Sequence, residues 1–259
     1  MTRTDCEDLH KLTKGIQLVT CSLTDLPIER GMRLRGLAMT RIETFADAAF
    51  AFAVTLLVIS VDDVPRSFDE MMTALKSTPV FLFASAQIFI FWLAHRNWSR
   101  VYGLDDFVSV VLTLLLVVSL LVMVFPLRIV YAFGAADMTG GWIPEPFQLD
   151  PANWIDQLRT VFIMLGVSWA WLAAVVVSLY AYAIRRAAHL DLNEAELDNA
   201  NTYMWIFSVL AFSGVLSIII AALAPSEWVT LAGYQYFLLF ILAFVRVIKK
   251  SSWVRRARS

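Results

Sequence analysis

Six apolar blocks, most of them long enough to cross a bilayer, decide what this chain can fold into. They cover residues 42–61, 79–93, 107–131, 161–184, 203–223 and 228–247, and the second carries a polar tail through Trp98. A spanning helix needs about 20 mostly apolar residues to cross roughly 30 Å of hydrocarbon. In lipid, backbone N–H and C=O groups must be paired within the protein, which leaves helices or closed barrels. Barrel strands alternate apolar and polar side chains over about ten residues, whereas these runs are longer and do not alternate. Composition points the same way: 59% of residues are hydrophobic and 17% charged, against roughly half and about a quarter in soluble domains. The expected fold is an all-α integral membrane bundle of six transmembrane helices.

Lys and Arg placement sets the expected orientation. Basic residues crowd the N-terminal segment (Arg30, Arg33, Arg35, Arg41), the loop after the second block (Arg96, Arg100), the loop after the fourth (Arg185, Arg186) and the C-terminal tail (Lys249, Lys250, Arg255, Arg256, Arg258). The other side holds Arg66, Lys76, Arg128 and Arg159. Both termini are therefore expected in the cytoplasm, with the protein in the cell membrane. The chain divides into a cytoplasmic extension (1–38), a six-span domain (39–248) and a basic tail (249–259). Residues 1–31 resemble no domain, and Met32 or Met39 are alternative translation starts. Of the external loops, 62–77 is acidic with room for a short helix, and 134–151 is rich in Gly and Pro and reads as irregular.

Catalytic patterns are missing from the sequence: it has no Gly-rich phosphate loop, no G-x-S-x-G and no H-E-x-x-H. Its two cysteines, Cys6 and Cys21, provide neither a disulfide framework nor a metal-ligand spacing. His10, His95 and His189 lie far apart in the chain. An enzyme is not indicated, and no cofactor or metal is implied.

The most informative segment is Arg41-Ile42-Glu43-Thr44-Phe45-Ala46-Asp47, leading into the first span. An acid at the centre of a spanning helix costs roughly 2.5–3.5 kcal/mol on insertion scales, so Asp47 should have a partner inside the bundle. The simpler reading is a helix-start acid, favoured by the macrodipole in the first turn; it suits Glu43 better than Asp47.

Arg41, Phe45 and Asp47 fit the R-x-x-x-F-S-D motif at the start of the first span in the transmembrane protein 175 family of potassium channels. An apolar run containing Thr55 follows, as the family pattern requires. Trp92 and His95 fit its Trp-x-x-His pattern in the second span, and the third block leads to Phe125-Pro126 in a similar way. The chain thus resembles the single-repeat members of that family over about 39–131. It departs from them in having Ala46 for the motif serine, Phe52 for Ile or Leu, Thr113 for an asparagine, and Ser60 for an outer acid.

The resemblance implies a central pore lined by the first helix. Phe52, Thr55 and Ile59 share one helical face with Ala48 a turn below. In the family's scheme Phe52 would form the constriction and Thr55 a hydroxyl ring above it. The alternative is ordinary packing against lipid or the bundle. Asp47 stands about 140° around the helix from Phe52, facing neighbouring spans, where His95 and Thr113 are its expected hydrogen-bond partners. Arg41, Phe45, Asp47, Trp92, His95 and Thr113 are accordingly assigned to holding the helix. Asp62 and Asp63 are candidates for an outer mouth that concentrates cations.

One chain supplies one such helix, which cannot enclose a pore alone. The resemblance therefore implies a homotetramer in the lipid bilayer that conducts potassium ions passively. A secondary or proton-coupled transporter and a non-conducting membrane scaffold are the competing classes.

Overall fold

The structure, a computed structural model, describes residues 26–59, 66–146 and 148–236. It opens on a hairpin of β1 (Ile28–Glu29) and β2 (Met32–Arg33), paired Ile28 with Arg33 and Glu29 with Met32. The two turn residues, Arg30 and Gly31, both take positive φ (52° and 81°), the geometry that matches the twist of a two-residue hairpin.

Helix α1 (Arg41–Ile59) begins at a capping box. The Glu43 amide donates to Thr40 Oγ1 at 3.3 Å, and the Thr40 amide to Glu43 Oε2 at 2.8 Å. A short amphipathic helix, α2 (Phe68–Lys76), falls in the acidic loop, capped by Ser67, with Asp69 and Glu70 in its first turn and Lys76 in its last; both ends suit the macrodipole. Pro79 then sits in the first turn of α3 (Thr78–Tyr102), where its missing N–H costs nothing. Gly103 closes α3 in the left-handed region. Next come α4 (Phe107–Met138), capped by Asp106, and α5 (Trp154–Arg185). The one-turn α6 (Ala187–Leu190) leads to α7 (Glu194–Leu223), which starts at a second capping box made by Asn193 and Glu196. A 3-10 turn (Ser226–Trp228) follows.

Four of these helices, α3, α4, α5 and α7, are long and apolar enough to cross a membrane among the described residues. The first apolar block ends beside residues 60–65, and most of the sixth lies in 237–259; both stretches fall outside the described residues.

Most helices outrun their apolar blocks. The reading of 134–151 as an irregular loop is corrected in its first part, because α4 continues through Gly134 to Met138. One glycine inside a helix costs only about 1 kcal/mol. The break comes at Gly140 and Gly141, both with positive φ (60° and 83°). Helix α5 starts seven residues before its expected 161, and α7 starts at its capping box rather than at 203. Hydropathy marks the lipid-facing length, whereas hydrogen bonding carries the helix on to the next cap.

Helices α5 and α7 form the most extensive packing pair, and α1 lies against α4 and α3. The α5–α7 crossing is tight because glycines face each other. A Cβ on Gly214 would come within 2.7 Å of the Gly166 carbonyl oxygen, and one on Gly166 within 2.8 Å of the Gly214 oxygen. Small residues at such crossings let backbones approach where lipid gives no hydrophobic drive to association.

Candidate functional site

Helix α1 has two faces of different character. Ala46, Phe50, Ala53 and Leu57 are buried against the bundle. Thr44, Phe45, Ala48, Ala51, Phe52 and Thr55 form an exposed stripe at helical spacing. Phe52 is 53% exposed and Phe45 52%, whereas Phe50 is 3% exposed. The structure therefore places Ala48, Phe52 and Thr55 on one outward face of the chain. The side chain of Ile59, and all of Ser60, Asp62 and Asp63, lie outside the described residues. Thr55 Oγ1 donates to the Ala51 carbonyl at 3.0 Å. With its proton committed to the backbone, the hydroxyl oxygen turns only lone pairs outward.

The opposite side of α1 carries a polar network. Trp92 on α3 donates its indole N–H to Asp47 Oδ1 at 2.8 Å. One turn further along α3, His95 Nε2 lies 3.2 Å from Thr113 Oγ1 on α4, and both residues are buried. The imidazole sits between the rings of Phe50 and Trp98, at centroid distances of 6.5 and 6.1 Å. Trp98 in turn donates to the Leu179 carbonyl on α5 at 2.8 Å. One more turn along, Ser99 hydrogen-bonds Glu43. Because α1 and α3 run antiparallel, Asp47–Trp92 and Glu43–Ser99 form two successive rungs between them, and His95 faces α4 between the rungs.

Three sequence expectations change here. The hydrogen bond to Asp47 comes from Trp92, not from His95 or Thr113, which pair with each other. The indole reaches further than the imidazole and stands at the level of the carboxylate. Phe45, grouped with this network by motif, stands instead on the exposed stripe, seven residues from Phe52 and so on the same face. Arg41, also grouped with the network by motif, is exposed at the helix start. Glu43 is a helix-start acid and also half of a rung; the pairing with Ser99 needed the α1–α3 register to be seen.

A second polar centre, missed by the sequence reading, ties the segment before α1 to the start of α7. Glu196 is fully buried. Its carboxylate accepts from the Arg33 amide at 2.8 Å, from Arg33 Nε at 3.2 Å and from Arg35 Nη2 at 3.0 Å. Arg35 also donates to the carbonyls of Val101 at 3.1 Å and Leu190 at 2.9 Å. The Gly36 amide donates to the Arg100 carbonyl at 3.0 Å, and a Cβ at Gly36 would meet the Ser99 carbonyl oxygen at 2.3 Å. The capping box at Asn193 was the only local sign that Glu196 had a structural task.

Residues 41–126 match the family described as the endosomal/lysosomal potassium channel TMEM175. The match opens on the first residue of α1 and closes on Pro126 within α4, so it takes in both rungs and the His95–Thr113 pair. A protein of Marivirga tractuosa described as a potassium channel is 30% identical over 227 residues, covering 84% of this chain and 91% of its own length. This chain belongs to the transmembrane protein 175 family. The crystal structure of the potassium channel MtTMEM175, a variant in complex with a nanobody–MBP fusion protein, matches with a TM-score of 0.70 at 26% identity, covering 88% of this chain and 100% of that one. These family relatives are described as ion channels, which places the chain among channels rather than enzymes. The helical architecture of that crystal structure is also the one seen here.

Proposed function

We propose that the protein is a potassium-permeable channel whose pore is lined by α1. The observation that carries this reading is the division of α1 into a networked face and an exposed stripe. Lipid contact alone would ask only for bulk apolar side chains on that stripe. Instead it alternates small residues (Thr44, Ala48, Ala51, Thr55) with two aromatics (Phe45, Phe52), a pattern that lets several copies of the helix approach one axis closely. A ring of Phe52 side chains would narrow that axis to an apolar constriction, and passage would depend on wetting it and on stripping water from the ion. Thr55, its lone pairs facing outward, would offer oxygen ligands one turn above. Ile59 would line the next turn, and Ala48 the turn below.

One α1 helix encloses nothing, so the proposal requires a homo-oligomer, which the family resemblance makes a tetramer. It also takes the first and sixth apolar blocks as spans, giving six, with both termini in the cytoplasm of a cell whose outer boundary is this membrane. Asp62 and Asp63 would then raise the local cation concentration at the outer mouth. Arg41 would stand at the inner end of the lining helix. Asp47, Trp92, His95 and Thr113 would hold it in register without touching the ion.

The test is ion flux from liposomes holding the purified protein, with potassium inside and sodium outside. The proposal expects a potassium-driven flux whose rate or selectivity changes on Phe52→Ala and Thr55→Val. An absence of flux from folded, oligomeric protein would overturn the conduction reading. Flux indifferent to both substitutions would overturn the assignment of the pore face.

A further inference from the structure

We propose that a cavity between the end of α4 and the start of α5 is a binding site for a small lipophilic organic cation, separate from α1. The cavity has a volume of about 380 Å³, and no α1 residue lines it. Small-molecule sites begin at roughly 300 Å³ and combine apolar walls with a few placed polar groups, and this one has that construction. Its floor is Leu158 and Phe162 of α5, both buried. Trp154 and Tyr234 add aromatic surface, and Asp137 and Glu145, both exposed, line it as well. The Tyr234 hydroxyl donates to Asp137 Oδ2. That bond fixes the carboxylate at the cavity, and among the described residues its other oxygen accepts no hydrogen bond.

The charge balance selects the ligand. No Lys, Arg or His is among the described residues lining the cavity, so its fixed charge is wholly negative. A phosphate or carboxylate would be repelled. An uncharged apolar molecule would gain the floor but neither carboxylate. A monocation with an aromatic or branched alkyl body gains all three: apolar contact with Leu158 and Phe162, Coulomb attraction to Asp137 and Glu145, and attraction to an aromatic face, which acts within about 6 Å of the ring centroid. A quaternary or tertiary ammonium of modest size is the class that fits.

The experiment uses the full-length protein in an uncharged maltoside detergent with benzyltrimethylammonium as probe, read by equilibrium dialysis. Neopentylbenzene, its uncharged carbon isostere, is the competitor. Saturable binding of one probe per chain is expected, with little competition from the isostere. The pair Asp137→Asn and Glu145→Gln should weaken binding at least tenfold, and Trp154→Leu several-fold. Asparagine can still accept from Tyr234, so the fold should survive. If the double variant is not monodisperse, Glu145→Gln alone and the comparison of cation with isostere decide. No saturable binding, equal binding by the double variant, or full competition by the isostere would overturn the proposal. Displacement of the probe by a short-chain phosphatidylcholine at equal concentration would overturn it in favour of a lipid headgroup. None of these readings depends on conduction, so the pore assignment and the cavity stand or fall separately.

Discussion

Arg35 Nη2 lies 3.0 Å from Glu196 Oε2, although 161 residues separate them in the chain. Both side chains are largely shielded from solvent, at 9% and 0% exposure. The contact joins the strand-like approach to α1 with the first turn of α7. Removing one member of a buried pair leaves the other charged and unpaired, at a cost of roughly 3–5 kcal/mol. Glu196→Ala should therefore lower the melting temperature of the purified protein sharply. Glu196→Gln, which keeps an acceptor, should lower it less. Equal melting of both variants and the wild type would show that the contact contributes nothing to the fold.

Asp47 and Trp92 are expected to act as one unit. A hydrogen bond to a charged group contributes about 1.5–3 kcal/mol, and removing either partner forfeits it. Trp92→Phe and Asp47→Ala should each reduce the yield of folded oligomer, and the double variant should cost less than the sum of the two. A double-mutant cycle from melting curves measures that coupling. Strict additivity would contradict the rung, and an Asp47→Ala protein that assembles well but has altered ion preference would contradict its assignment to holding the helix.

Phe50 and Phe52 are two residues apart on α1 and opposite in surroundings. Phe50→Ala empties a buried site and should cost about 3–5 kcal/mol, visible as lost stability and lower yield. Phe52→Ala removes a side chain that touches little within its own chain, so the folded subunit should keep its stability while flux changes. Parallel melting and flux measurements on the pair separate packing from conduction. Similar stability losses in both would contradict the two-faced description of α1.

Asp106 gives the fold a pH dependence. Burial works against its charged form, but hydrogen bonds from Tyr182, Ser109 and Arg186 outweigh burial and hold the carboxyl well below the usual carboxylate range. The unfolded group titrates near its ordinary value of about 3.9. A folded value below the unfolded one means the link stabilises fully above that range and fades as pH falls through the folded value. Asp106→Asn retains a capping side chain but no charge. Wild type should melt above this variant by a constant margin from pH 6 to 8, and the margin should shrink on acidification below about pH 4. Added salt should narrow it as well, since Arg186 is exposed. A margin that grows at low pH would reverse the sign of the argument.

Features set by neighbours within one or two turns were legible in the sequence. The apolar blocks marked helices, and the four that the structure shows as long, apolar helices were among them. The period of 3.6 put Ala48, Phe52 and Thr55 on one face. Glu43 read as a helix-start acid, which the macrodipole favours in a first turn. Each rests on interactions between residues at most a few positions apart, so composition and spacing suffice. Tertiary structure alone decided that Trp92 rather than His95 bonds Asp47, and that Arg33 and Arg35 close on Glu196. A hydrogen bond requires placement to within a few tenths of an ångström, and across helices that placement comes from the crossing and register of whole elements. Side chains one turn apart, such as Trp92 and His95, look alike to the sequence and are told apart only when α3 is docked on α1.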